Sequence, residues 1–316
     1  MPRPIKQFMT KYGTALGGLA VFSFFAIFVD NFLKGTNLLN VVKQISYLAI
    51  LSLGFLLALT TAELDLSFAN VCSLAGVACG GLVHYQYPIP LAIGAGLGVG
   101  LLAGFVNGLV VTRLKVPSLI ATLAMASAAN GAAFWLTKGV AYVGRWPETF
   151  VFLGRGKLLG APILVWWTIC FAGLALFLLK QTRLGLHLTF TGENDEAARL
   201  AGIAVKRMKT LGMTLSGLAA GVVAVLLTAS LSSAAPTSAG DFMLTSIAAV
   251  LLGMTMIEPG RPNVLGALIG ALTIGVLSNG LVLLGAPYYA QDIILGVIIV
   301  ASVSLSASTI TKAAFH

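Results

Sequence analysis

Apolar stretches of membrane-spanning length follow one another through almost the whole chain, and only short polar intervals separate them. A helix needs about 20 apolar residues to cross the hydrocarbon core of a bilayer. The 316 residues are 58% hydrophobic and 9% charged, which is more apolar surface than a soluble core can bury. The sequence therefore predicts an all-α, polytopic membrane protein with one transmembrane domain, residues 1–316.

Hydropathy, together with glycine, proline and charge punctuation, divides the chain into about ten transmembrane spans. The predicted spans are 13–33, 44–63, 67–84, 89–112, 117–137, 162–181, 210–231, 242–258, 263–285 and 289–310. The eighth gives the weakest signal, and the shorter spans are candidates for broken or re-entrant helices. The first apolar stretch is too long for a signal peptide and lacks a clear cleavage site, so we count it as a span.

The basic residues predict which side each loop faces. With the N-terminus inside, thirteen Lys and Arg residues face the cytoplasm: Arg3, Lys6, Lys11, Arg113, Lys115, Lys180, Arg183, Arg199, Lys206, Arg207, Lys209, Arg261 and Lys312. Six face outward: Lys34, Lys43, Lys138, Arg145, Arg155 and Lys157. The positive-inside rule therefore predicts cytoplasmic N- and C-termini, a cytoplasmic loop at 182–209 and an external loop at 138–161. The net charge of +9 follows from this topology and does not indicate nucleic-acid binding.

Aromatic residues near the external ends of spans are expected at the membrane interface. We assign this position to Trp146 and Phe150 in the external loop, and to Tyr288 and Tyr289 before the last span.

The 182–209 interval is the longest part of the chain without membrane-spanning character. Asn194 is a suitable N-cap for a short helix with Asp195 and Glu196 in its first turn, and Gly202 marks its end. Arg199 lies within helical reach of both acids. A helix this short is marginal alone, so we expect either an amphipathic connector on the membrane surface or a docking element for a soluble partner.

A few polar residues near or within the spans are candidates for a translocation path: Asp65, Asn107, Asn130, Asp241 and Asn279. Placing an acidic side chain at membrane depth costs free energy, so such a residue is expected to have a structural or functional role. Asp65, helped by Ser67, either caps the third span or edges a path at a broken helix. Capping is also the alternative for Asp241 and for Asp292, and hydrogen bonding between helices is the alternative for the asparagines.

Small residues form smooth helix faces that permit close contact in lipid. They are Gly94, Gly96, Gly98, Gly100 and Gly104 in the fourth span, and Gly266, Gly270 and Gly275 in the ninth. The two spans also share a short pattern, Asn107-Gly108-Leu109-Val110 and Asn279-Gly280-Leu281-Val282. Since the predicted topology gives these spans opposite directions, the pattern suggests an inverted internal repeat.

Signals for catalysis are missing from the sequence. The nearest approach to a phosphate-binding loop, Gly154-Arg155-Gly156-Lys157, is followed by Leu158 and lacks the Ser or Thr that the motif requires. There is no HExxH, CxxC or GxSxG motif. Cys72, Cys79 and Cys170 lie in apolar segments, where cysteine serves as a small packing residue. We therefore predict no enzymatic activity, no metal site and no nucleotide bound by that motif.

Three parts of the chain resemble the permease subunits of bacterial ABC importers of the ribose, xylose and galactose type. The first is LDLSFANVCSLAG (64–76) and the second is AGFVNGLVVTRLKVPSLIATLA (103–124). The third begins with TRLGLHLTFTGENDEAARLAGIAVKRMK (182–209) and continues through LSSAAPTSAGDFMLTSIAAVLLGMT (231–255) to LGALIGALTIGVLSNGLVLLG (265–285). They are spread over residues 64–285, which is most of the chain.

The resemblance implies a ten-helix, type II-like permease in the bacterial inner membrane, working as two copies or two related subunits. It implies a cytoplasmic ABC ATPase, of the double-cassette type, that hydrolyses ATP, so the permease itself needs no cofactor. It also implies a periplasmic or lipoprotein sugar-binding protein outside. The residues that match the coupling helix, which fits a groove in the ATPase, are Glu193, Asn194, Asp195, Glu196, Ala197, Ala198, Arg199 and Gly202.

Two segments depart from the pattern of the family. Residues 61–65 have the sequence TAELD, where a glycine pair and an isoleucine commonly precede the aspartate. Residues 254–266, MTMIEPGRPNVLG, carry Glu258, Pro259 and Pro262 in place of a serine- and glycine-rich turn. These departures leave the ligand open and affect one expected ATPase contact.

The sequence thus predicts a permease that translocates a monosaccharide, a ribose-like pentose or a hexose, by alternating access. Four external cations are candidates for docking the binding protein, or else solvated loop charges: Lys138, Arg145, Arg155 and Lys157. One alternative is a secondary, ion-coupled transporter, which needs coupling acids in mid-span. Another is the same type of ABC permease serving a nucleoside or a furanosyl signalling molecule.

Overall fold

The computed structural model describes residues 3–287 and 289–301, and in this part of the chain helices dominate. The first seven are α1 (Arg3–Phe28), α2 (Gly35–Leu59), α3 (Phe68–His84), α4 (Ile89–Arg113), α5 (Ser118–Thr137), α6 (Glu148–Arg155) and α7 (Ile163–Gln181). The others are α8 (Arg183–Glu193), α9 (Asp195–Leu200), α10 (Val205–Leu231), α11 (Phe242–Gly253), α12 (Val264–Leu283) and α13 (Tyr289–Ala301). Four two-residue strands are β1 (Tyr142–Val143), β2 (Lys157–Leu158), β3 (Ala161–Pro162) and β4 (Ser233–Ala234).

The predicted spans correspond to apolar helices. Within the described residues, 6 helices are long and apolar enough to cross a membrane, namely α2, α4, α5, α7, α10 and α12. The shorter apolar helices are Leu16–Phe28 within α1, α3, α11 and α13. The weak eighth span is α11, which has 12 residues. The last predicted span runs to residue 310 and lies partly outside the described residues.

Helix boundaries agree best with the prediction where proline punctuates the chain. Pro88 and Pro117 stand immediately before α4 and α5, and both have the extended backbone that precedes a helix. By contrast, α1 begins at Arg3, ahead of the predicted residue 13, and α2 begins at Gly35, ahead of 44. Hydropathy detects the apolar part of a helix and misses polar turns that extend it.

Contacts between loops show which helix ends lie on the same side of the molecule. On one side, Gly192 of α8 packs on Thr60 in the α2–α3 loop, and Arg261 in the α11–α12 loop pairs with Glu193. On the other side, His84 at the end of α3 contacts the carbonyl of Val143 in the 138–161 segment. Therefore α4 and α12 run in opposite directions, as the inverted-repeat hypothesis requires.

The close packing predicted for the glycine face of α4 is confirmed for part of that face. A Cβ added at Gly96 would lie 3.0 Å from Val225, and one at Gly104 would lie 3.0 Å from the Cα of Thr214. At Gly100 it would collide with the backbone of Gly217, so α4 and α10 touch backbone to backbone. Gly94 and Gly98 face open space instead.

In the ninth predicted span, α12, the small residues make contacts of the same kind. Gly266 and Gly270 lie against the backbone of α11 at Gly253 and Ala249. Gly275 faces the side chain of Ile45 in α2. The small-residue face therefore joins α12 to two neighbouring helices, as predicted.

The 138–161 segment folds back onto the helices. β1 pairs with β4, and β2 pairs with β3 through a tight turn at Leu159 and Gly160, both of which have positive φ. Trp146 and Phe150 are 7% and 0% exposed and pack with Cys79 and Val83. Their assignment to the membrane interface was wrong, because α6 and the residues just before it fold back and bury both rings against the helix ends. Tyr289 is exposed, and Tyr288 lies outside the described residues.

Candidate functional site

The predicted short helix in the 182–209 segment is present as α9. Asn194 has extended backbone, and its Oδ1 accepts hydrogen bonds from the backbone N–H groups of Glu196 and Ala197, both at 3.0 Å. Gly202 follows the helix with φ +82°, a conformation that favours glycine. The N-cap and the C-terminal glycine are thus confirmed, while the coupling role of the helix remains a prediction.

A second helix, α8, precedes α9 and was not predicted. Thr182 caps it by accepting a hydrogen bond from the N–H of Gly185 at 3.1 Å. Asn194 then ends α8 and starts α9, so the two helices meet at an elbow. In α9 only Ala198 is buried, and the charged side chains project outward. The elbow therefore presents a short, charged helix at the surface.

The charges of α9 do not all pair within the helix. Arg199 contacts Glu196 at 3.3 Å, but both side chains are more than two-thirds exposed, at 71% and 76%, so this pair contributes little. Asp195 instead pairs with Lys209 of α10 at 2.6 Å. Lys209 also pairs with Glu63 in the α2–α3 loop at 2.8 Å. One lysine therefore bridges the surface helix and a buried loop.

The α2–α3 loop (60–67) connects several helices. The side chain of Glu63 is 8% exposed. The N–H of Leu64 donates to Ser118 Oγ, and the carbonyl of Leu64 accepts from Thr122 Oγ1, each at 3.2 Å. Both partners belong to α5. On the far side of the loop, a Cβ at Gly192 would collide with the carbonyl of Thr60.

Asp65 and Asn107, two of the predicted path residues, meet in this loop. Asp65 Oδ1 accepts hydrogen bonds from the N–H of Ser67 at 2.9 Å and from its Oγ at 2.6 Å. Asn107 donates to the same Oγ at 2.9 Å. Burial raises the pKa of the Asp65 carboxyl above its ordinary value, and the bonds from Ser67 offset part of that rise. Asp65 therefore orders the approach to α3 through Ser67, but the start of α3 has no side-chain capping bond, so the capping hypothesis is wrong for Asp65.

The other three predicted path residues lie apart from this cluster. Asn279 exchanges amide hydrogen bonds with Asn37 of α2, at 3.0 and 3.1 Å. Asn130 is exposed on α5. Asp241 is exposed and stands before α11 without a side-chain capping bond, so the capping alternative is wrong for this residue. The sequence could not foresee the partner of Asn279, because that pair joins two helices that are distant in the chain.

The α11–α12 loop (254–263) is also tied to the segment. Glu258 pairs with Lys180 at 2.7 Å, and Arg261 pairs with Glu193 at 3.0 Å. A cleft of about 590 Å³ lies between this loop, α8 and the end of α2. A second cleft of about 470 Å³ is lined by Glu63, Gly192, Asp195 and Lys209 among others. Both clefts open beside the elbow.

The four predicted docking cations are all exposed, and they lie on the side of the molecule opposite to α9. The structure separates one of them from the rest, since Arg155 Nε donates a hydrogen bond to the carbonyl of Ser230 in α10. Arg155 therefore has a structural contact. Lys138 ends α5 in the left-handed conformation, and Arg145 and Lys157 project from the 138–161 segment.

Comparison with known proteins identifies the family. A family model described as the permease component of branched-chain amino acid transport systems matches residues 37–303. The chain belongs to this family. The match runs from the first turn of α2 through α13, and it includes α9 and both loops described above. Proteins of this kind are transport components rather than enzymes, and this permease is a multi-pass membrane protein.

Individual relatives share about a third of the sequence over nearly the full length. The permease is 34% identical over 301 residues to the ribose import permease protein RbsC of Escherichia coli, covering 94% of both chains. It is 33% identical to RbsC of Bacillus subtilis over 298 residues, 94% of this chain and 92% of that one. It is 32% identical over 293 residues to the L-arabinose transport system permease protein AraH of Escherichia coli, covering 93% and 89%. The predicted resemblance to sugar ABC permeases is confirmed.

Sequence reasoning missed the residues that hold α9 in place. Glu63 stood out only as a departure from the family pattern, Lys209 as one of several cations in a row, and Gly192 not at all. A usable signal for Glu63 was present: an acid at the edge of an apolar span needs a partner. What the sequence does not reveal is which cation, more than a hundred residues away, supplies it.

Proposed function

We propose that this permease is the membrane-spanning subunit of an ABC importer that carries a monosaccharide into the cell. The relatives are named for ribose and L-arabinose, which are both pentoses, so a ribose-like pentose is the first choice and a hexose the second. Residues 1–316 form a single permease domain. Transport proceeds by alternating access, and a partner ATPase, of the double-cassette type, supplies the energy.

The observation that carries this proposal is the exposed, capped helix α9. A family of permeases that bind no nucleotide themselves must receive force from the ATPase through a surface contact. Residues 193–202 provide such a contact surface. Asn194 fixes the start of the helix, and Glu196 and Arg199 project into solvent. In this arrangement α9 enters a groove of the ATPase, and the 182–209 segment and both chain termini are cytoplasmic.

The proposed path lies between this chain and a second permease copy or a related subunit. On α5, Ser127 and Asn130 are exposed within an apolar span. Lipid is a poor solvent for an amide side chain, so this face of α5 is expected to meet water or the second subunit. The Asp65–Ser67–Asn107 cluster lies near the start of α5, because the neighbouring Leu64 bonds to Ser118 and Thr122. Asn279 has a helix-joining role.

On the external side, the binding protein is expected to dock near Arg145 and Lys157. These cations are solvent-exposed and would meet acidic residues on the partner, whereas Arg155 has a structural contact. Rim charges of this kind mainly set the association rate. Raising the salt concentration should therefore slow docking, and docking that is insensitive to salt would contradict the electrostatic part of the proposal.

The coupling role is tested by reversing one charge. Arg199→Glu is expected to abolish ATP-dependent uptake of labelled D-ribose, or of the sugar that the binding protein selects, while the amount of permease in the membrane stays unchanged. Lys34→Glu, which reverses an exposed cation predicted to lie on the external side and outside the proposed docking surface, serves as the control and should leave ATP-dependent uptake and ATP hydrolysis intact. Normal uptake by a correctly inserted Arg199→Glu permease would defeat the assignment of α9.

A further inference from the structure

The α2–α3 loop lies between the proposed coupling helix and the proposed path-lining helix, and it is bonded to both. Asp195 of α9 pairs with Lys209, and Lys209 pairs with Glu63 in the loop. The next residue, Leu64, is hydrogen-bonded through its N–H and its carbonyl to Ser118 and Thr122 of α5. Two adjacent loop residues therefore contact two different parts of the permease: Glu63 pairs with Lys209, which also holds α9, and Leu64 bonds to α5.

The Lys209 bridge is enclosed at Lys209 and Glu63, while its third member, Asp195, is 50% exposed. The side chains of Lys209 and Glu63 are 18% and 8% exposed, so the attraction between them is weakly screened by water. Two lysine bonds, at 2.6 and 2.8 Å, hold α9 although a helix of its length is marginal alone. Nearby, Gly192 touches the backbone of Thr60, so the elbow cannot approach the loop further without displacing it.

Other contacts of the segment are less suited to this role. Lys180–Glu258 and Arg261–Glu193 are exposed on both partners and compete with water and salt. They also lead to the α11–α12 loop rather than to the α2–α3 loop, whose Leu64 bonds to α5. The Lys209 bridge, enclosed at Lys209 and Glu63 and half-exposed only at Asp195, is therefore the better-shielded connection between α9 and the loop that bonds to α5.

We propose that Lys209 is a positioning residue for energy coupling: it holds Asp195 and Glu63 together, so that movement of α9 displaces the α2–α3 loop and, through Leu64, α5. This inference rests on the proposed function, because it assigns α9 to the ATPase contact. It identifies the α2–α3 loop as the element that transmits force. The outer face of the permease plays no part in it.

The test compares uptake with ATP hydrolysis in proteoliposomes that contain the permease, its ATPase and the binding protein, with labelled D-ribose as the first probe. In Lys209→Met and Glu63→Gln, the number of sugar molecules imported per ATP should fall about tenfold, within the usual range for coupling between sites. ATP hydrolysis should persist. Lys209→Arg, which keeps both ion pairs, should restore the ratio. A merely structural role would lower uptake and hydrolysis together.

Two further variants complete the test. Lys206→Met removes an exposed cation from the same turn of α10 and should leave the ratio unchanged. Thr122→Val keeps the volume of the side chain, removes its bond to Leu64, and should lower the ratio in the same way as Glu63→Gln. If Lys209→Met fails to reach the membrane, Glu63→Gln and Thr122→Val decide the question.

The outcomes separate this inference from the function on which it rests. A wild-type ratio in both Glu63→Gln and Thr122→Val would overturn the role of the loop while leaving the importer assignment intact. If the unmodified permease shows no ATP-dependent uptake of any sugar accepted by the binding protein, the proposed function itself fails. A reduced ratio that Lys209→Arg restores would support the inference.

Discussion

The α2–α3 loop and the α11–α12 loop share a local pattern and differ in burial. In each, a residue with positive φ precedes a glutamate: Ala62 (φ 59°) precedes Glu63, and Ile257 (φ 59°) precedes Glu258. Each glutamate pairs with a lysine at one edge of the 182–209 segment. Similar ion pairs therefore hold the 182–209 segment near both of its ends, at Lys180 and at Lys209.

The two ion pairs differ in burial and therefore in the free energy needed to break them. Glu63 and Lys209 are 8% and 18% exposed, whereas Glu258 and Lys180 are 40% and 57% exposed. A charge pair removed from water is costly to break, because the remaining charge has no solvent to replace its partner. An exposed pair exchanges its partner for water at little cost. The comparison teaches that the same local motif gives a firm connection at one loop and a weak one at the other.

The largest loss of stability is expected when the buried Lys209–Glu63 ion pair is broken. Lys209→Met leaves Glu63 buried without its cation, which should lower the free energy of unfolding by about 3–5 kcal/mol. Thermal unfolding of the detergent-solubilised permease measures this as a lower Tm. Lys206→Met should stay within about 0.5 kcal/mol of the unmodified protein. Equal losses for the two variants would remove the distinction between the loops.

A steric change at the same loop should come next. Gly192→Ala places a methyl group against the carbonyl of Thr60, and neither backbone can move away freely, so we expect a loss of about 1–3 kcal/mol. Gly98→Ala, in the middle of α4 with open space around it, is the matched control and should be neutral or stabilising. If Gly192→Ala is as harmless as Gly98→Ala, the elbow does not rest on the loop.

Weakening α9 itself should have a smaller, local effect. Asn194→Ala removes the bonds to the N–H groups of Glu196 and Ala197 and should cost about 1 kcal/mol. Hydrogen exchange of the peptide spanning 194–202 should accelerate, while exchange in α2 and α12 stays the same. Asn194→Ser keeps a capping oxygen and should show much of the original protection. Unchanged exchange in the alanine variant would mean that packing alone orders the helix.

The smallest change in stability is expected when the exposed Glu258–Lys180 ion pair is broken. Glu258→Gln should change the free energy of unfolding by about 0–1 kcal/mol, because the Lys180 pair is already in contact with water. Moderate salt should erase the difference. Glu63→Gln, measured in parallel, should remain destabilised at the same salt concentration. A loss at Glu258 as large as that at Glu63 would show that burial does not distinguish the two loops.

The sequence correctly predicted the features that local chemistry determines. Apolar length located the spans, proline located the starts of α4 and α5, and Asn194 and Gly202 marked α9 because both act on their own backbone. The glycines of α4 indicated close packing, although the sequence alone could not tell that Gly94 and Gly98 face open space while Gly100 meets Gly217.

What the sequence did not reveal depends on contacts between distant segments. Lys209 reaches Glu63 only because α10 packs beside the end of α2, and nothing in the local pattern distinguishes it from Lys206. Trp146 and Phe150 were assigned to the membrane interface because aromatic residues near span ends favour it; their burial follows from the way α6 folds back. Asn279 likewise depends on its neighbour Asn37 in another helix.

The most direct test of the account places a single reactive cysteine on α9. In a Cys170→Ser background, which removes the exposed native thiol and leaves Cys72 and Cys79 buried, Glu196→Cys is labelled with a membrane-impermeant maleimide in inside-out and right-side-out vesicles. Lys157→Cys reports the opposite side. We predict that Glu196→Cys is labelled only in inside-out vesicles and is protected when the ATPase is bound. Labelling from the outside, or labelling from the inside that the ATPase does not prevent, would contradict the account.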